Sequence, residues 1–231
     1  MTAISEKLSS MIEKVAKALG PDLLNEVAFV GGCTTGFLIT DELVKEEVRY
    51  THDVDLIVDV MGYAAWNELC DKLRSYGFRE SMENGPICRM ILGELQVDFM
   101  PVDPNLLGFS NKWYSKALAT SEQYKLKGDI YINLLTPPLF VATKLEAYLG
   151  RGNNDPIESQ DIEDIINLFD GRDELVSEIM KSDDEIKAYI SVKLGMLLKD
   201  PLFQVLIDSQ TRNSPGRSEV LYERLEAVCE Q

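Results

Sequence analysis

With 231 residues, 45% of them apolar, the chain is long enough to bury a full core in one or two domains. A formal net charge of −16 excludes a surface that coats nucleic acid along its whole extent, though not a local basic cleft. No apolar run approaches the ~18 residues of a membrane span. The four cysteines (Cys33, Cys70, Cys88, Cys229) form no C-x-x-C and have one histidine between them, which argues for reduced thiols in the cytoplasm rather than a zinc site.

From Met1 to Leu19 the apolar residues Ile4, Leu8, Ile12, Val15 and Leu19 recur at helical spacing among Glu6, Lys7, Glu13, Lys14 and Lys17. This is an amphipathic helix packed on the body, not a secretion signal. Val27–Val30 is a short strand, and the spacing predicts a helix over Thr34–Val44. Another strand holds Thr51-His52-Asp53-Val54-Asp55-Leu56-Ile57-Val58. Tyr63–Tyr76 is a helix with Ala64, Leu69, Leu73 and Tyr76 facing inward, ended by Gly77. Arg89–Leu92 and Leu95–Val102 form a hairpin around Gly93-Glu94. Beyond Thr136 the pattern is helical. Thr136 and Pro137 open a helix that is apolar nearly all round from Leu139 to Leu149, so it is buried. Asp155-Pro156-Ile157-Glu158 reads as the start of the next helix, with Ile157, Ile162, Ile165, Ile166, Leu168 and Phe169 as its apolar stripe. A linker at Thr211–Gly216 precedes a last helix from Ser218 to about Cys229.

The chemistry concentrates in three places. Successive strand side chains point to opposite faces, so Asp53 and Asp55 share one face while Val54, Leu56 and Val58 share the other. If the strand Leu95–Val102 lies beside this one, Asp98 joins them, and three carboxylates can hold two Mg²⁺ (or Mn²⁺) ions roughly 3.5–4 Å apart. His52, by alternation, points away from that face. The pair Gly31-Gly32 follows an apolar strand; a turn free of side chains brings backbone N–H groups close to a phosphate, and Thr34 and Thr35 can cap the following helix and touch the same oxygens. No Gly-Lys-Ser/Thr follows, so this is not a Walker loop. In the third place, Lys144 is the only cation of a buried helix and needs an anion, either a triphosphate or a carboxylate. Asp161 falls within the apolar stripe of the next helix, Asp164 at its edge and Glu163 on the wet face. An additional segment interleaves Lys112, Trp113, Tyr114, Lys116, Tyr124, Lys125 and Lys127, a mix that stacks bases or, more simply, anchors a loop and hairpin to the body.

These motifs, in this order, resemble the nucleotidyltransferase superfamily, and most of all its AbiEii/AbiGii toxin-type branch. The residues concerned are Val30-Gly31-Gly32, Thr51 to Leu56, Val97-Asp98-Phe99-Met100-Pro101, Ala142 to Ala147 and Ser159 to Ile165. The resemblance covers roughly residues 27–172. It departs from the pattern at Cys33, which intervenes before Thr34, and at His52, where a basic residue is common. The resemblance implies an α+β fold: a small mixed sheet flanked by helices forming a catalytic core over 1–135, and a helical region over 136–231 closing the nucleotide cleft. It implies Mg²⁺-dependent transfer of a nucleoside monophosphate from an NTP to a hydroxyl. Asp53, Asp55 and Asp98 would be the metal-binding and catalytic residues. Gly31, Gly32, Thr34, Thr35, Lys144, Asp161 and Asp164 would bind the nucleotide. The acceptor would be a tRNA, a protein or a small molecule, with an antitoxin as a partner if the enzyme is a toxin. A polycationic small molecule suits the acidic surface better. The alternative is a non-catalytic nucleotide-binding or partner-binding module.

Overall fold

The computed structural model describes residues 3–81, 86–108, 110–151, 155–211 and 216–230. The fold is α+β: a mixed sheet with helices, and a helical C-terminal region. Two compact units account for it. The first comprises 1–34 with 49–136, and the second 35–48 with 137–231.

In the first unit, α1 (Ala3–Leu24) is kinked at Gly20-Pro21 and buries Leu8, Ile12, Val15, Leu19 and Leu23 against the sheet. Ile4, expected on that face, is exposed at the helix start. The strands are β1 (Val27–Val30), β2 (Asp53–Val58), β3 (Arg79–Glu80), β4 (Arg89–Leu92), β5 (Leu95–Pro101), β6 (Glu122–Lys125) and β7 (Tyr131–Leu134). Their order across the sheet is β3-β4-β5-β2-β1-β7-β6. β1 lies between two neighbours and all four of its residues are buried, which is why it reads as an unbroken apolar run. β2 runs antiparallel to β1 and parallel to β5, in a register that sets Val30 beside Asp55 and Asp55 beside Asp98. The turn at Gly93-Glu94 closes the antiparallel pair β4–β5.

The helix α4 (Gly62–Ser75) buries Trp66, Leu69, Cys70 and Leu73, while Ala64 points to solvent; the buried stripe lies one step round from the expected one because Trp66 supplies the larger apolar surface. Gly77 sits at φ 90°, and its N–H and that of Phe78 close the helix end on the carbonyls of Arg74 and Leu73. The short helices α5 (Pro104–Leu107) and α6 (Tyr114–Ala119) complete the unit. The cation–aromatic segment is anchored to it: Trp113 is buried beneath Lys112, and Lys125 pairs with Asp129 at 2.6 Å and lies over Tyr131.

Asp103 ties α4 to α5. Its carboxylate accepts from the backbone N–H of Asn105 and from that of Gly62, each at 2.9 Å, and these hydrogen bonds hold its carboxyl below the usual carboxylate range. A depressed carboxyl contributes stability above its unfolded value of about 3.9, and that contribution is lost as pH falls through the folded value. Asp103→Asn is therefore expected to unfold at lower urea than wild type at pH 7, with the gap narrowing below about pH 4.

The second unit is built on α7 (Pro137–Gly150), α8 (Gln160–Gly171), α9 (Leu175–Lys181), α10 (Asp184–Leu197), α11 (Pro201–Gln210) and α12 (Arg217–Cys229). Helix α7 buries Leu139, Phe140, Val141, Ala142 and Leu145, although Leu149 near its end is exposed. α8 begins four residues later than expected, its cap moving from Asp155 to Ser159. The Asp155 carboxylate closes a turn on the N–H of Ile157, leaving Ile157 exposed, and Ser159 caps the helix through the N–H of Ile162.

The continuous helix expected over Thr34–Val44 is broken. A 3₁₀ turn over Gly32–Thr34 leads into α2 (Thr35–Leu38), and α3 (Glu42–Lys45) starts afresh under Asp41, whose side chain accepts from Leu43 and Val44 N–H. The break has a tertiary cause. The N–H groups of Thr40 and Asp41 both donate to the carbonyl of Gly171, and Arg172 donates to the carbonyl of Leu38 at 2.8 Å. Segment 35–48 is thereby fastened to the C-terminal helices. Of the expected linker, residues 212–215 lie outside the described residues.

No helix among the described residues is long and apolar enough to cross a membrane.

Candidate functional site

Asp53, Asp55 and Asp98 converge. Each offers a carboxylate oxygen within 4.8 Å of the other two. Strand alternation aims them from one face of β2 and β5, while Val54, Leu56, Val97 and Phe99 on the other face are fully buried and hold the strands in register. Asp98 is buried, whereas Asp53 and Asp55 are partly open to solvent. Three carboxylates this close repel by about 3 kcal/mol per pair at an effective dielectric of about 20, less where water screens Asp53. Such a group calls for cations.

Two are present, and neither is evident from the motifs. Arg89 on β4 stands opposite Asp98 in the hairpin register. Its Nε donates to Oδ1 of Asp98 at 2.8 Å and its Nη2 to Oδ2 at 2.7 Å, a two-pronged pair, and Nη2 lies 3.8 Å from Oδ2 of Asp53. The hydrogen bonds to Asp98 raise the guanidinium's already high pKa further. The hairpin turn could have revealed it: counting back from Gly93-Glu94, Leu92 pairs with Leu95, and Arg89 falls beside Asp98. The second cation is Arg49, whose guanidinium lies over Gly32, so that any Cβ at Gly32 would strike it and the methyl of Thr51. His52 is exposed and makes an edge contact with Tyr50.

The glycine turn is built around Asp55. Gly31 has φ +80°, and a Cβ there would run into the Asp55 carboxylate. Gly31→Ala should destabilise the protein by about 1–3 kcal/mol in urea unfolding. That loss should exceed the one from Gly77→Ala, which has a similar φ but open space beside it. Thr34 donates its hydroxyl to the Gly31 carbonyl at 2.8 Å, bracing the turn. Thr35 is fully buried, and its hydroxyl has no hydrogen-bond partner among the described residues. The helix that Thr34 and Thr35 were expected to cap is a single turn, so the positive end of a long helix does not contribute here.

An all-oxygen donor set of this kind fits a hard divalent cation such as Mg²⁺ or Mn²⁺. Each Asp98 oxygen already accepts from Arg89 and keeps one further lone pair for a metal. Cys88, next to Arg89, adds no soft ligand. Burial, with Asp98 adding to it, pushes its thiol up to about 12.

In the second unit Lys144, Asp161 and Asp164 form a buried ion cluster. The Lys144 ammonium lies 2.6 Å from Asp164 Oδ2 and 3.1 Å from Asp161 Oδ1, and over the ring of Phe140. Asp164, expected at the edge of the apolar stripe, is fully buried. Arg151 approaches Asp161 at 3.5 Å from the surface. Glu146, as its position on the helix dictates, turns elsewhere and accepts from the Tyr189 hydroxyl at 2.6 Å.

Among solved structures, the chain is similar to an antigenic nucleotidyltransferase-like protein from Paracoccidioides brasiliensis, with 20% identity, 94% of this chain and 93% of that chain covered, and a TM-score of 0.49. No family model matches the sequence, and no curated protein matches it.

Proposed function

We propose that the chain is a divalent-metal-dependent nucleotidyltransferase that moves a nucleoside monophosphate from an NTP to a hydroxyl. The observation that carries the proposal is the meeting of Asp53, Asp55 and Asp98 on one sheet face against a glycine turn with φ +80°. Asp53 and Asp55 hold the metal, with Asp98 as the third donor. When bound, Mg²⁺ or Mn²⁺ neutralises charge on the triphosphate and lowers the pKa of the attacking hydroxyl. The turn at Gly31-Gly32 admits the triphosphate close to the backbone, braced by Thr34, and Arg49 over Gly32 supplies a fixed positive charge there. The acceptor hydroxyl gives up its proton, its oxygen bonds to the α-phosphorus, and the bond to pyrophosphate breaks. Positioning and charge neutralisation do most of this work.

Lys144, Asp161, Asp164 and Thr35 are proposed as nucleotide-binding residues on the sequence pattern. The AbiEii/AbiGii-type branch, a toxin role and an antitoxin partner rest on the same pattern. For the acceptor, the strong negative charge favours a polycationic small molecule over tRNA or a protein.

One observation favours a second reading, a non-catalytic nucleotide-binding or partner-binding module: Arg89 already neutralises Asp98. Thermal shift with each NTP, with and without Mg²⁺, separates the two. Stabilisation by an NTP that requires Mg²⁺, followed by release of pyrophosphate with an acceptor, supports the enzyme. Stabilisation that ignores Mg²⁺, or none at all, supports the module.

A further inference from the structure

We propose that the cavity beside Arg89, at the β3 edge of the sheet, binds a small molecule with a flat apolar body and one carboxylate, and that this carboxylate pairs with the side of the guanidinium that Asp98 leaves unused. The site stands whether or not the metal-dependent reading above holds. Three observations carry it.

The first is the cavity itself. Strand β3 pairs with Ile91 and Met90 of β4 and ends at Glu80, so among the described residues no strand covers β4 at Arg89. The space there is bounded by α4, α5 and β4 and measures about 360 Å³. That falls within the size range of small-ligand pockets, roughly 300–1,000 Å³.

The second is the apolar part of its lining. Trp66 and Leu106 are buried walls, whereas Tyr63 and Ile87 are 63% and 65% exposed. The Tyr63 hydroxyl donates to the carbonyl of Asn105 at 3.3 Å, which steadies the ring at the rim. Large apolar side chains standing open to water around a cavity are the surface that a flat apolar body covers.

The third is charge. Two cations line the cavity, Arg74 and Arg89. Arg74 is committed to Asp71 and to Glu80, the acid in the lining. Arg89 is committed on one side. Its Nε and Nη2 donate to Asp98, and its Nη1, which the planar guanidinium points away from that edge, has no hydrogen-bond or ion-pair partner among the described residues. Arginine keeps its charge at any physiological pH, so these N–H groups remain strong donors. A carboxylate answers them better than a neutral carbonyl, because a hydrogen bond between two ionised groups is the stronger kind. One guanidinium then serves two anions, and a ligand in the cavity draws on the charge that neutralises Asp98.

The test is nuclear magnetic resonance on the full-length protein at neutral pH, titrated with naphthylacetate and with naphthylacetamide, its uncharged counterpart. The chain has two tryptophans, Trp66 in the lining and Trp113 outside it, so their indole N–H signals report where a probe sits. Naphthylacetate is expected to shift the Trp66 signal to saturation and to leave that of Trp113 in place. The amide should bind at least about tenfold more weakly. Asp98→Asn keeps the size of the side chain and removes the competing charge. It should bind naphthylacetate several-fold more tightly than wild type, and the amide no differently. A Trp66 signal that neither probe moves, or that moves only together with that of Trp113, overturns the site. Equal binding of acid and amide overturns the role of the guanidinium, as does an Asp98→Asn protein that binds the acid no better than wild type. The comparison of the two probes on wild type needs no variant, so the proposal stays testable if Asp98→Asn fails to fold.

Discussion

Asp55→Asn is expected to reduce nucleotidyl transfer by at least about 10³-fold while the protein stays folded at the assay temperature. The two halves of this result have separate causes. Asparagine keeps the size of the side chain, so it fits against Gly31 where the carboxylate now lies. It also keeps one acceptor oxygen, but it removes the charge that a divalent ion needs. Removing one of three carboxylates that lie within 4.8 Å of one another relieves repulsion in the folded state, and this offsets the loss of the carboxylate's own interactions, so the fold should hold. Radiolabelled NTP with an accepted acceptor gives the rate, and calorimetry gives the melting temperature. A variant that transfers at the wild-type rate would remove Asp55 from the chemistry. One that loses activity only because it unfolds would show that the residue builds the sheet instead.

Lys144→Ala is expected to destabilise the protein by about 3–5 kcal/mol, read as a lower urea midpoint. The ammonium is the partner of two carboxylates, of which Asp164 is fully buried and Asp161 is 3% exposed. Truncation leaves both charges in the interior without the ammonium. Arg151 cannot replace the ammonium well, since it reaches only Asp161, at 3.5 Å, and its side chain is 67% exposed. Replacing all three residues together, as Lys144→Met with Asp161→Asn and Asp164→Asn, should recover much of the loss, because the cost lies in unpaired charge rather than in the absence of the pair. A Lys144→Ala protein that unfolds at the wild-type urea concentration would show that the buried ion cluster adds nothing to stability, and a loss of NTP binding alone would leave the ammonium its nucleotide-binding role only.

The parts of this molecule legible in the sequence are those governed by strand alternation and short-range turns. Asp53 and Asp55 had to share a face, and the two-residue turn at Gly93-Glu94 had to bring Asp98 onto a strand of known orientation. The buried helix around Lys144 announced itself by being apolar on all sides. What escaped was decided by tertiary contacts. The helix predicted over Thr34–Val44 breaks because the Gly171 carbonyl, far along the chain, takes the N–H groups of Thr40 and Asp41. Helix α8 starts at Gln160 because two side chains, Asp155 and Ser159, compete to close turns and the later one caps the helix. Arg49 precedes the D-x-D strand without any motif to mark it, and only folding lays its guanidinium over Gly32. Arg89 is different. Its position opposite Asp98 follows from hairpin register alone.

The central claim is that Asp53, Asp55 and Asp98 hold divalent ions against the glycine turn when nucleotide is bound. Crystals grown with Mn²⁺ and a non-hydrolysable NTP test it most directly through anomalous scattering. The account predicts a strong peak bonded to Asp53 and Asp55, with the triphosphate along Gly31-Gly32. Nucleotide bound elsewhere, or no peak beside these carboxylates while the triphosphate is in place, would contradict it.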